Sequence, residues 1–71
     1  MIIKFTADWC GKCRTFTNIP VDKVVNVDYC DDEIIKYDIR ELPTFVKIDE
    51  EGNLISKLEG PNSIKEFNEW K

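Results

Sequence analysis

The sequence contains no histidine and only three cysteines, three glycines, three prolines and one methionine, and these scarcities exclude whole classes of protein. A structural zinc site needs four thiolate or imidazole ligands, and Cys10, Cys13 and Cys30 cannot supply them alone. A carboxylate or a second chain would have to complete such a site, so no metal is expected. An odd cysteine count also argues against a structural disulfide framework, leaves Cys30 unpaired in a single chain, and fits a reducing compartment. The formal charge of −4 comes from scattered acidic residues, with no Lys/Arg cluster to follow a phosphate backbone. A nucleic-acid partner is not expected. No apolar run is long enough to cross a membrane, and Met1-Ile2-Ile3-Lys4-Phe5 is too short and too soon interrupted for a signal peptide. A cytoplasmic location and no membrane partner are the expectation.

What is present is the composition of a small folded protein. Seventy-one residues make one domain, 1–71, near the lower size limit for a fold held by its core alone. The 42% hydrophobic fraction, with two Trp, two Tyr and four Phe, is that of a globular chain rather than a disordered one. The most informative stretch is Trp9-Cys10-Gly11-Lys12-Cys13. Two thiols three positions apart reach disulfide geometry within one helical turn, and a helix N-terminus favours the thiolate of the first. Cys10 is the expected nucleophile. Cys13, one turn in and more enclosed, is the expected resolving thiol, which attacks a mixed disulfide at Cys10 and releases the partner reduced.

The hydrophobic pattern predicts a strand over Ile2 to Thr6, a helix from Cys10 to about Ile19, and a strand over Lys23 to Tyr29. Pro20 ends that helix, and Phe16 with Ile19 are its expected core contacts. Asp31-Asp32-Glu33 suits the start of a second helix over 31–38, with Ile34, Ile35 and Ile39 on its buried face. Thr44 to Ile48 and Leu54 to Leu58, joined by the turn 49–53, read as an antiparallel hairpin. Ser63-x-x-Glu66 is a capping box opening a terminal helix with Ile64, Phe67 and Trp70 on one face. The order β-α-β-α-β-β-α implies an α/β fold with a four-stranded mixed sheet flanked by helices, its site at the carboxyl end of the first strand.

Phe5-Thr6-Ala7-Asp8-Trp9-Cys10-Gly11-Lys12-Cys13 resembles the active-site segment of thioredoxins, and Tyr37-Asp38-Ile39-Arg40-Glu41-Leu42-Pro43-Thr44 resembles the family's proline segment. Together with Asn26-Val27-Asp28 and Gly60, the resemblance covers essentially the whole chain and implies a minimal thioredoxin fold. It further implies that Pro43 is cis and faces the cysteines, and that Leu42 offers main-chain groups to an extended substrate. Trp9, Gly11, Lys12, Leu42, Pro43 and Gly60 are the implied substrate-binding residues around the catalytic Cys10 and Cys13. The implied activity is thiol–disulfide exchange with protein disulfides, with electrons from a thioredoxin-reductase-like protein or from glutathione, no cofactor, and a monomeric chain. Two other readings stay open. One is a glutathione-coupled glutaredoxin-like protein, and the other is a docking module with idle cysteines.

The sequence departs from the family in three places. The family's leading strand and helix have no counterpart in these residues, and the segment from Cys13 to Asp28 is about three helical turns shorter than usual. Lys4 stands where the resemblance places a buried aspartate that relays protons; Asp8, Asp28 or water could take that role. An inward Lys4 ammonium would need relief from snorkelling or from the Cys13 thiolate. Lys12 replaces a proline, restoring an N–H and placing a positive charge near the reactive sulfur, which implies a less reducing couple than thioredoxin. Cys30 reads either as a small residue at the end of the second strand or as a regulatory thiol.

Overall fold

Alternation along Ile2-Ile3-Lys4-Phe5-Thr6 sends Ile3 and Phe5 to one side of a strand and Ile2, Lys4 and Thr6 to the other. In the computed structural model, which describes residues 1–71, that strand is β1 (Ile2–Thr6). It pairs in parallel with β2 (Lys23–Asn26) and antiparallel with β3 (Thr44–Ile48), and β3 pairs antiparallel with β4 (Leu54–Glu59). The strand order is therefore β2-β1-β3-β4, the mixed sheet that the element order implied.

Each face of the sheet has its own cluster. Ile3, Phe5, Val25, Val46 and Ile48 pack with Tyr37 of helix α1 (Asp31–Tyr37) on one side. On the other, Phe45 meets Phe16 at 5.6 Å and Phe67 at 4.7 Å between ring centroids, where Phe16 belongs to a 3-10 helix (Lys12–Phe16) and Phe67 to helix α2 (Ile64–Trp70). Trp70 closes this cluster against Phe45 and Phe67, as expected from its place on the last helix.

Four expectations are corrected. The helix expected over Cys10 to Ile19 is a 3-10 helix of five residues. β-Branched Thr15 and Thr17 disfavour an α-helix, Thr17 Oγ1 donates to the Arg14 carbonyl, and Asn18 turns the chain with φ +61° before Pro20. The second strand stops at Asn26 rather than Tyr29, because the Asn26 side chain accepts from the Asp28 N–H and the Tyr29 N–H turns back to the Asn26 carbonyl. Ile35 is 78% exposed, and the inward place at the end of α1 goes to Tyr37. Ile64, at the first turn of α2, is also exposed.

The capping box is present in a variant form. Ser63 Oγ accepts from the Glu66 N–H, while the Glu66 carboxylate reaches back to the Asn62 N–H rather than to that of Ser63. At the C-terminal ends of both helices a lysine meets carbonyls: Lys57 Nζ donates to Tyr37 and Asp38, and Lys47 Nζ donates to Trp70.

The β3–β4 turn is held by one carboxylate. Asp49 Oδ1 accepts from the N–H groups of Glu51 and Asn53, and the Asn53 N–H foremost holds the Asp49 carboxyl below the usual carboxylate range. A carboxyl acidified by folding stabilises the fold above its unfolded pKa, and that contribution is lost as pH falls through the lower folded value. As pH falls through and below the usual carboxylate range, the native chain is expected to lose stability, measured by urea denaturation followed by circular dichroism, that Asp49→Asn does not lose, so the two stabilities converge in acid. Parallel acid profiles for the two proteins would contradict this account.

Candidate active site

Strand β1 ends at Thr6, and the chain turns at once so that the Cys10 N–H bonds the Ala7 carbonyl at 3.1 Å. The turn delivers Cys10 and Cys13 to the carboxyl end of the strand as a disulfide with Cα atoms 5.3 Å apart. The two sulfurs differ in environment as expected. Cys10 is 7% exposed and Cys13 2%, packed with Ala7 and flanked by Val27 and Leu42. The Cys13 N–H points at the Cys10 sulfur at 3.1 Å, so the support for negative charge on Cys10 is one local amide and not the dipole of a long helix.

Leu42 packs against the cysteine cluster, its peptide bond to Pro43 is cis, and Pro43 is fully buried. The Pro43 carbonyl accepts from the Gly60 N–H at 3.0 Å, which seats the Gly60 turn beside the proline loop. Gly60 has φ +51°, and a Cβ there would lie 2.5 Å from Glu41 Oε2. The positive φ is what favours glycine here, since the exposed Glu41 carboxylate is the end of a flexible side chain that can swing aside. Gly11 is different, since a Cβ there would meet nothing within 4 Å. This chain leaves open space at that point.

Trp9 is 68% exposed and anchored at its edge, with the indole N–H shared between both oxygens of Asp28 at 3.2 and 3.3 Å. Its ring borders a small cavity of about 200 Å³ completed by Val27, Ile34, Ile39 and Leu42, with Arg40 and Glu41 also lining it. The lining is mainly apolar, five of its seven residues being hydrophobic. Sequence reasoning did not connect Ile34 to the site, because it sits on a helix whose distance from Trp9 is a tertiary fact.

Lys12 reaches across to the opposite loop. Its ammonium donates to the Gly60 carbonyl at 2.9 Å and to Asn62 Oδ1 at 3.0 Å, spanning 48 and 50 residues of sequence. The charge is held by two neutral acceptors and ties the cysteine segment to the Gly60 turn. Asn62 carried no signal in the sequence. Lys4 points inward and donates to the Phe16 carbonyl at 2.9 Å. Cys30 is a free, half-buried thiol at the N-terminal boundary of α1. No group of three or more Cys, Asp or Glu side chains is arranged to hold a metal ion, and no helix is long and apolar enough to cross a membrane.

A mixed sheet that carries a two-cysteine disulfide at the carboxyl end of a strand, with a cis-proline loop packed beside it, defines the class of thioredoxin-fold dithiol proteins. Comparison with known proteins agrees. The chain is 34% identical to thioredoxin-T of Drosophila melanogaster over an alignment 76 positions long, gaps included, a match covering 92% of this chain and 48% of that protein. It is 31% identical over 70 residues to thioredoxin-1 of Caenorhabditis elegans, covering 84% of this chain and 60% of that one. The X-ray structure of Fasciola hepatica thioredoxin superimposes with a TM-score of 0.72 at 31% identity, over 96% of this chain and 74% of that one. The chain belongs to the thioredoxin family. It spans about half the length of the Drosophila relative and three-fifths of the Caenorhabditis one. No protein-family model matches it.

Proposed function

We propose that this chain is a thiol–disulfide oxidoreductase that reduces or exchanges protein disulfides in the cytoplasm, acting as a monomer. The observation that carries this reading is the Cys10–Cys13 disulfide at the end of β1, packed against Leu42 of the cis-proline loop. In the reduced protein the Cys10 thiolate attacks one sulfur of a substrate disulfide, forming a mixed disulfide and expelling the other substrate sulfur, which takes a proton from water. Cys13 then attacks Cys10, breaking the mixed disulfide and closing the 10–13 bond. Two electrons pass from the dithiol to the substrate. Recognition is mostly main-chain at Leu42, with the apolar cavity beside Trp9 taking a neighbouring side chain.

Insulin reduction followed by turbidity tests the reading, with electrons supplied either by a thioredoxin reductase or by glutathione. Turnover is expected with the reductase at least about tenfold faster than with glutathione, corresponding to about 1.4 kcal/mol in the barrier. The reverse preference would place the chain with glutathione-coupled proteins. No reduction with either donor would leave a docking role.

A further inference from the structure

Lys4 is a buried cation that the exchange described above does not use. The residue is 7% exposed, and the one hydrogen bond of its ammonium runs to the Phe16 carbonyl. An ammonium has three donors to satisfy, and none of the protein's ion pairs includes this one. Its partners on the flanking strands, Val24 and Phe45, are uncharged. Burying a charge this way costs stability, and an apolar residue would fill the same place without that cost.

The location suggests the compensation. Lys4 lines a cavity of about 400 Å³ together with Cys10, Cys13, Asp8, Arg14 and Thr17. Asp8 and Arg14 are exposed and of opposite sign, so they largely offset each other at the mouth. The buried residues lining it are Ala7, Cys10, Cys13 and Lys4, and of these only the cysteines and Lys4 can carry charge. Cys10 already receives the Cys13 N–H, whereas Cys13 is the more enclosed sulfur and lies on the same 3-10 helix as the carbonyl that anchors Lys4. An enclosed thiol resists ionisation unless a positive group faces it.

We propose that the Lys4 ammonium is a positioning charge for the resolving thiol, stabilising the Cys13 thiolate in the step that breaks the mixed disulfide. This rests on the dithiol reaction proposed above. The Cys13 proton leaves through the cavity to water, the Cys13 sulfur bonds Cys10, and the substrate sulfur departs with the electron pair of the broken bond. Burial pushes the Lys4 ammonium below the usual lysine range. The thiolate relieves that desolvation at the moment it forms, so each charge lowers the other's cost.

The test uses the reduced protein and dithiobis(nitrobenzoate), an aromatic disulfide that releases one coloured thiolate when Cys10 attacks and a second when Cys13 resolves. Lys4→Gln retains a donor to the Phe16 carbonyl, and Lys4→Met keeps the length of the side chain. Both are expected to slow the second release about tenfold at pH 7 and to move its pH midpoint up by about one unit. The first release changes less, and Lys4→Arg stays within about twofold of the parent. Independently of whether these variants fold, alkylation of Cys13 in Cys10→Ser is expected to show a midpoint below the roughly 8.5 of a free thiol. A midpoint at or above that value, or an unchanged second release in the folded Lys4→Gln protein, overturns the inference. If the parent protein releases neither thiolate, the dithiol reading itself fails.

Discussion

Replacing Cys10 by serine is expected to lower kcat/KM for insulin reduction by at least about a thousandfold, because a hydroxyl near neutral pH supplies almost no anion to attack sulfur. Cys13→Ser has a different signature. Its Cys10 thiolate still attacks, but nothing displaces the substrate, so a covalent adduct accumulates that reducing agent releases. Mass spectrometry of the two variants after mixing with a disulfide-containing protein separates the roles: an adduct with Cys13→Ser and none with Cys10→Ser. Adducts of equal amount on both variants would show that the two sulfurs are not divided into nucleophile and resolver. The structural basis is the contrast between Cys10, with the Cys13 N–H aimed at its sulfur, and Cys13, the more enclosed of the two.

Phe45→Ala is expected to cost about 3–5 kcal/mol of folding free energy, measured by urea denaturation. Phe45 is fully buried on β3 and is the common neighbour of Phe16, Phe67 and Trp70. Removing it opens a cavity at the one place where the 3-10 helix, the sheet and α2 meet. A domain of this length has only about 4–10 kcal/mol of total stability at typical per-residue values, so the variant is expected to lose between about a third and all of it. Since Phe16 anchors the segment that carries Cys13, loss of the cluster also disorders the site. A loss below about 1 kcal/mol would mean that the aromatic cluster is not what holds the helices to the sheet.

The site was legible where chemistry and position are both local. The spacing of Cys10 and Cys13 places the sulfurs within reach of each other whatever lies around them, and the segment ending in Leu42-Pro43-Thr44 marked the second loop through its resemblance to thioredoxins. β1, β3 and the start of α2 were likewise legible, because alternation and the Ser63/Glu66 pair are near-neighbour signals. Helix type over 12–16 was not. Its α-like apolar spacing concealed the combined effect of Thr15, Thr17 and the left-handed Asn18 on a segment too short to propagate. Ile35 looked as suitable for burial as Ile34, yet Ile34 is half-buried beside the Trp9 cavity and Ile35 is exposed.

The sequence by itself determined the reactive pair, the order of the strands and helices along the chain, and the alternation that puts Lys4 opposite Ile3 and Phe5. Only the tertiary structure decided that Lys12 bonds Gly60 and Asn62, that the Lys4 ammonium bonds the Phe16 carbonyl, and that Lys4 lines one cavity with both cysteines. The reason is one of range. Spacing rules act over one helical turn or one strand pleat, whereas the environment of a charge is set by groups brought from up to 50 residues away, whose approach depends on how the whole core packs.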